Sequence, residues 1–204
     1  MNRSMMVVCA ALSFVLATGT AMAADIQGRI GVTGRVGFLA PTDSEAFAVP
    51  SRLDTDIDLV GGGGLIYGIS RNLALELDVT HSGFDAHRGG FREGEFSTTN
   101  ISMGAQYRFL DARMRKFVPY LGAGVDILLN DFRFYDGYKA DIDTVAGAHV
   151  SGGTDYFLTQ QLALNAEVKG VLAPDADINY AGVKIGHYDP TNLSVTFGVR
   201  YFFN

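Results

Sequence analysis

Cysteine, tryptophan, proline, positive charge and long apolar runs are what this chain is short of. Tryptophan is absent and the one cysteine, Cys9, lies within the first 23 residues. If that segment is removed, the remainder has no disulfide, no reactive thiol and no cysteine-ligated metal. Lys and Arg number 16 against 22 Asp and Glu, a net charge of −6. Arg3 is the only charge in the leading segment, so the rest is one unit more negative. Such a chain does not suit nucleic acid, because neutralising phosphates takes clustered Lys and Arg. With 5 prolines, 48% hydrophobic and 19% charged residues, it is neither disordered nor collagen-like. Past residue 24 no run approaches the ~18 consecutive apolar residues of a membrane-spanning helix.

What is present starts with a leader. Asn2-Arg3 is a short positive start, Met5 to Leu16 is mostly apolar, and Ala21-Met22-Ala23 has the small-x-small form of a cleavage site. The pattern predicts a secretory signal peptide over residues 1–23, its core too short to cross a bilayer, followed by one domain over 24–204. That domain is either soluble outside the cytoplasm or spans a membrane by strands.

Its patterning has period two. Leu73, Leu75, Leu77 and Val79 fall on one face, and Ala74, Glu76, Asp78 and Thr80 on the other. Leu162, Leu164, Ala166 and Val168 alternate likewise with Ala163, Asn165, Glu167 and Lys169. The first strand sets Ile26, Ile30, Val32, Val36 and Phe38 against Gln27, Arg29, Thr33 and Arg35. A helix, with period 3.6, would scatter these side chains around its surface. Eight such segments are predicted, at about 26–40, 55–69, 72–82, 96–109, 117–130, 144–156, 161–171 and 191–203. Connections after the second, fourth and sixth are short; those after the first, third, fifth and seventh are long and rich in Gly, Pro, Asp and aromatics. Short turns at one end and long loops at the other describe an outer-membrane barrel, with turns and both termini in the periplasm. Two internal echoes support the count: Tyr67 to Leu75 matches Tyr156 to Leu164 in spacing, and Gly104 to Phe109 matches Gly198 to Phe203.

A soluble eight-stranded barrel would turn its apolar face inward. Leader, loop asymmetry and terminal strand together favour a membrane: Val195, Phe197, Val199, Tyr201 and Phe203 recur at every second residue, the aromatic-ended finish typical of outer-membrane proteins, with Asn204 following the last aromatic. The expected fold is therefore all-β, an eight-stranded antiparallel up-and-down transmembrane β-barrel. Its lumen face is expected to carry cations Arg29, Arg35, Arg108, Lys169 and Arg200 and anions Asp56, Asp58, Glu76, Asp78, Asp126, Asp155 and Glu167. An eight-stranded interior is wide enough only for side chains or one small ligand. Ions of both signs should therefore pair there and plug at least the periplasmic half, since an isolated buried charge is very costly. Tyr107, Phe109, Phe117, Tyr201 and Phe203 are expected to form an aromatic rim at the periplasmic boundary.

Phe117-Val-Pro-Tyr-Leu-Gly-Ala-Gly-Val125 resembles the OmpW family of small outer-membrane proteins. So do Arg71-Asn-Leu-Ala-Leu-Glu-Leu77, Gly153-Thr-Asp-Tyr-Phe157 and Asp189-Pro190 before the last strand. Thr191 stands where that family commonly has Trp. The resemblance implies an eight-stranded barrel with a narrow, largely apolar channel for small hydrophobic molecules.

Other chemistry is weakly signalled. Gly61 to Gly64 is followed by no Lys-Ser/Thr and no helix, so it is not a phosphate loop. His149 and Ser151 share a face and could form a base and nucleophile, as in the His-x-Ser pair of lipid A deacylases, but that face is the lumen. His81, Asp85 and His87 share a loop with nothing to fix metal geometry. No metal, cofactor or enzymatic activity is expected. Asp131 to Tyr138 mixes aromatics with charge in an external loop suited to lipopolysaccharide or another surface partner. The chain reads as a monomer in the outer membrane of a Gram-negative-type cell, among lipid and lipopolysaccharide, delivered through the barrel assembly machinery by its C-terminal strand. The leading function is a narrow passive channel for small hydrophobic molecules; next is a non-conducting structural or adhesive barrel acting through its loops; third is a lipid A-type hydrolase.

Overall fold

In hydrocarbon every backbone N–H and C=O needs a partner within the protein, so strands that alternate apolar and polar faces must curl until the last pairs with the first. A computed structural model of the chain describes residues 25–41, 58–88, 91–111, 116–134, 139–180 and 183–203. Side chains are described over 25–40, 59–83, 97–111, 116–131, 143–176 and 189–203. The strands are β1 (Ile30–Pro41), β2 (Asp58–Gly68), β3 (Leu73–Arg88), β4 (Phe91–Arg108), β5 (Phe117–Phe134), β6 (Lys139–Ile142), β7 (Val145–Phe157), β8 (Leu162–Leu172), β9 (Ala176–Tyr180), β10 (Val183–Tyr188) and β11 (Asn192–Phe202). Neighbours pair antiparallel around the ring β1-β2-β3-β4-β5-β7-β8-β11. The ring closes where β11 meets β1, with Gly31 opposite Phe202 and Pro41 opposite Asn192. The fold is a closed eight-stranded antiparallel barrel.

Side-chain direction follows the alternation in the sequence. Leu75 is 47% and Leu164 46% exposed on the outer wall, while Arg108, Asp155 and Arg200 inside are 0% exposed. A wall that shows Leu, Val and Phe outward around a charged interior is the reverse of a water-soluble barrel. It is stable only against acyl chains. Strands β2, β8 and β11 have 11 residues each, about what a tilted strand needs to cross the hydrocarbon.

The two echoes in the sequence are echoes in structure. The N–H groups of Ile69 and Ser70 both reach Leu73 O, at 2.9 and 3.0 Å; those of Leu158 and Thr159 both reach Leu162 O, at 2.9 and 3.1 Å. In each turn a hydroxyl accepts from the strand that follows, Ser70 Oγ from Leu73 N at 3.1 Å and Thr159 Oγ1 from Leu162 N at 2.9 Å. Tyr107 meets Phe109 edge-on with ring centres 5.1 Å apart, and Tyr201 meets Phe203 edge-on at 5.3 Å.

Three expectations are corrected. The third, fourth and fifth strands run well past their expected ends. β3 and β4 pair as far as Arg88 opposite Phe91, across most of the span read as a loop. The backbone ladder needs no apolar face once it clears the membrane, so alternation fades before pairing does. Secondly, the long connections hold strands of their own. β6 pairs with the outer end of β5, β9 with β6 and β10 with β9, a side sheet built from two loops. Thirdly, Ile26 does not share the outer face of β1. Gly28 takes φ +73°, and Arg29 N reaches Ile26 O at 2.9 Å across the turn, which folds Ile26 under the barrel end.

Candidate functional site

Inward-pointing side chains stack in three tiers from the short-turn end. The lowest is apolar: Ile26, Ile66, Ala74, Val118, Phe157, Ala163 and Phe202 form one buried cluster. The rings of Phe157 and Phe202 stack with centres 5.7 Å apart. These residues share alternation with the charged ones above them, Phe157 with Asp155 and Phe202 with Arg200. They cap the bottom of the lumen where its polar lining stops.

The second tier is ionic. Arg200 reaches Asp155 at 3.0 Å and also Glu76; Arg108 reaches Asp155 at 2.8 Å. Arg35 contacts Glu76 at 2.7 Å, Asp78 at 3.0 Å and Glu167 at 2.8 Å. Asp155 and Glu76 thus each meet two guanidinium groups, and Asp78 and Glu167 one, all from strands that are not their ladder neighbours, the geometry in which a buried ion pair recovers its desolvation cost. Neutral groups add further bonds, although Arg108 Nε and Nη2 and Arg35 Nε are buried without a hydrogen-bond partner among the described residues. Tyr120 OH donates to Glu167 at 2.9 Å, Asn165 Nδ2 donates to Asp155 at 2.9 Å and to Tyr120 OH at 3.0 Å, and Gln106 donates to Glu76. The Arg200 guanidinium also lies over the Tyr120 ring, 5.3 Å from its centre. Gly153 makes room for this ring: a Cβ there would meet the Tyr120 hydroxyl and the Ala166 carbonyl.

The third tier opens toward the long-loop end. Asp126 accepts from Asn100 Nδ2 at 2.9 Å and lies 2.7 Å from His149 Nδ1. Lys169 Nζ donates to Ser102 Oγ at 3.1 Å. Above them lies a vestibule of about 450 Å³, counted with its space open to solvent, lined by Arg35, Lys169, Glu167, hydroxyl and amide groups and the apolar side chains of Leu39, Val60, Leu128 and Val171.

Of the expected lumen residues, Arg35, Glu76, Asp78, Arg108, Asp126, Asp155, Glu167, Lys169 and Arg200 point inward and are buried. Arg29 is a correction. It is half-buried at the short-turn end, where it donates to the carbonyls of Gln160 at 2.8 Å, Phe202 at 3.1 Å and Phe203 at 3.2 Å. Arg29 keeps the inward parity of Gly31 and Arg35 but lies below the apolar cap, its guanidinium carbon 5.6 Å from the centre of the Phe202 ring, so it clamps the last strand instead of entering the ion network. Asp58 pairs through its backbone with Leu39; its side chain, and Asp56 altogether, lie outside the described residues. Tyr107, Phe109, Phe117, Tyr201 and Phe203 face outward at the short-turn end, joined by Tyr67 and Tyr156. His81 meets Thr99 Oγ1 at 3.0 Å, and the side chains of Asp85 and His87 lie outside the described residues.

Of the neutral members of the network, Tyr120, Gln106 and Asn100 are absent from the sequence expectation, and Asn165 is placed there on the polar face of its strand without a part in the network. The signal for them was there. Gln106 sits two residues from Arg108 and Asn165 two from Glu167, at positions that alternation turns inward.

Solved structures share this architecture. The outer membrane protein OprG from Pseudomonas aeruginosa is 17% identical, with a TM-score of 0.64 over 91% of this chain and 100% of its own. The Neisserial surface protein A is 18% identical, with a TM-score of 0.59 over 85% of this chain and 97% of its own. The outer membrane protein AlkL, solved in lipid bilayers, is 18% identical, with a TM-score of 0.58 over 92% of this chain and 94% of its own. At such identities the likeness is one of fold. Among curated proteins no sequence match is found. The model of the outer membrane protein beta-barrel domain matches residues 7–203, and with the wall and closure described above the chain belongs to that family, a β-barrel of the Gram-negative outer membrane.

Proposed function

We propose that this protein is a non-conducting outer-membrane barrel that works from its long-loop end, as a structural or adhesive element of the surface. In this reading its short turns face the periplasm and it acts as a monomer among lipid and lipopolysaccharide. Its aromatic-ended last strand is the segment handed to the assembly machinery. One observation carries the reading. The apolar cap of Phe157 and Phe202 lies in series with the layer of Arg108, Asp155, Arg200 and Glu76, and both occupy the barrel axis. A permeating molecule would have to part ion pairs that have no water to replace them.

The test is a planar bilayer held under voltage with the purified, refolded protein present. No discrete current steps are expected. Ohmic steps that change on replacing Arg35 or Asp126 would overturn the reading in favour of a channel. The second reading, a narrow path for small hydrophobic molecules, rests on the resemblance to OmpW and on the apolar side chains of Leu39, Val60, Leu128 and Val171 in the vestibule wall. The lipid-hydrolase reading gains the Asp126–His149 contact. Yet His149 faces the lumen, and acyl chains lie beyond the wall.

A further inference from the structure

Charge balance in the lumen singles out His149. Among the described residues the buried lumen carries five carboxylates, Glu76, Asp78, Asp126, Asp155 and Glu167, against four basic side chains, Arg35, Arg108, Lys169 and Arg200. One negative charge is left over, and an unmatched ion away from water is costly. His149, 8% exposed, is the remaining buried side chain among them that can turn positive. An imidazole is the side chain whose ordinary change of charge falls between about pH 5 and 8.

Its ring is held in one pose. Nδ1 lies 2.7 Å from Asp126 Oδ2, and Asp126 also accepts from Asn100 Nδ2 at 2.9 Å. A carboxylate only accepts, so Nδ1 carries a hydrogen in either state and the exchangeable proton belongs to Nε2. Glycines give the ring its space: a Cβ on Gly124 would stand 2.7 Å from Cε1, and one on Gly104 3.0 Å from Nε2. Gly104 and His149 line one small cavity, whose charged walls are Glu76 and Asp78 from β3 and Glu167 and Lys169 from β8, while β4 brings only neutral groups. With Asp126 from β5, four carboxylates face the ring against one ammonium. Two acceptors in this cavity, Asp78 Oδ1 and Gln106 Oε1, are buried without a hydrogen-bond partner among the described residues. A proton on Nε2 thus enters a surplus of negative charge with acceptors to spare.

We propose that His149 is a proton switch in the seal of the lumen. Taking one proton from solvent onto Nε2, it becomes the fifth positive charge and tightens the contact with Asp126. Losing that proton returns the surplus charge and loosens the long-loop half of the network. The folded barrel then binds more protons here than the unfolded chain, so stability is greatest at the acid end of the imidazole range and falls as pH rises through it. The switch is independent of whether the barrel conducts.

The test uses the complete barrel refolded into lipid vesicles. Urea unfolding between about pH 5 and 8 should become easier as pH rises, by about tenfold in the equilibrium constant. His149→Gln should remove that slope. In phospholipid micelles the isotope-labelled ring nitrogens of His149, assigned through its backbone, should show imidazolium at the acid end. Asp78→Asn takes away the surplus carboxylate, so proton binding at His149 should weaken about tenfold. That variant decides the matter should His149→Gln fail to fold. A ring that stays neutral across the range in a folded spectrum, proton binding unmoved by Asp78→Asn, or no pH slope in the wild type would each overturn the proposal. So would a slope that persists in folded His149→Gln, which would place the proton on another group such as Asp78.

Discussion

Arg200 Nη1 on β11 lies 3.1 and 3.0 Å from the two carboxylate oxygens of Asp155 on β7, across an intervening strand. The bond therefore ties strands that share no backbone ladder. Both side chains are completely buried, so deleting either strands a charge in a site without water. Asp155→Leu is expected to lower the unfolding free energy by about 3–5 kcal/mol, measured by urea titration in lipid vesicles. The double variant Asp155→Leu with Arg200→Met should lose less than the two single losses combined, because the Arg200–Asp155 contact is then lost once and not twice, while Arg108 is left unpaired by Asp155→Leu in either background. Additive losses would mean that the pair is not coupled.

Two adjacent glycines of β7 separate the walls. A side chain at Gly153 would run into Tyr120 and the backbone of Ala166, whereas one at Gly152 would meet only Leu121 Cδ2, at 3.5 Å. Gly153→Val is therefore expected to cost about 1–3 kcal/mol or to block folding, as overpacking does. Gly152→Val faces lipid and should be neutral or slightly stabilising, since glycine is a poor strand residue. Heat-modifiability on gels, with urea unfolding for those that fold, separates them. Equal effects of the two would place the inner and outer faces wrongly.

Period-two alternation exposed most of this molecule. It set Glu76 and Asp78 against Leu75 and Leu77, and it needed only one closed ring to bring Glu76 to Arg200, 124 residues away. Pairing partners were not readable, because a charge shows its parity but not which opposite charge the curvature will bring near. The apolar cap was hidden for another reason. Phe157 and Phe202 are hydrophobic at inward positions, and the contrast between faces that marks the rest of each strand disappears there. Ile26 failed through Gly28, because one positive φ resets parity for the residues before it. Arg29 kept its parity but lies beneath the Phe202 ring, a cap that alternation does not show. The side sheet of β6, β9 and β10 pairs across loops whose spacing carries no period long enough to detect.

The outer wall makes a depth-dependent prediction. Leu164 and Tyr201 both face outward, but Tyr201 sits among the aromatics at the short-turn rim, while Leu164 lies further along its strand and pairs with Val199. An arginine at Leu164 must bring its charge deeper into hydrocarbon. Leu164→Arg is expected to cost about 2–4 kcal/mol and Tyr201→Arg about 0–1 kcal/mol from the charge itself, measured by reversible unfolding from vesicles. The reverse order would move the membrane along the barrel axis.

The seal of the lumen has two layers, and they should fail separately. Phe157→Ala removes one of the stacked rings of the cap. A loss of about 3–5 kcal/mol is expected from the cavity. Current should nevertheless stay at zero, because Asp155, two residues along the same face, still holds Arg108 at 2.8 Å and Arg200 at 3.0 Å across the axis. Bilayer recording on the folded variant checks this directly. Discrete steps from Phe157→Ala alone would show that the cap is the whole barrier and that the ion layer above it is porous.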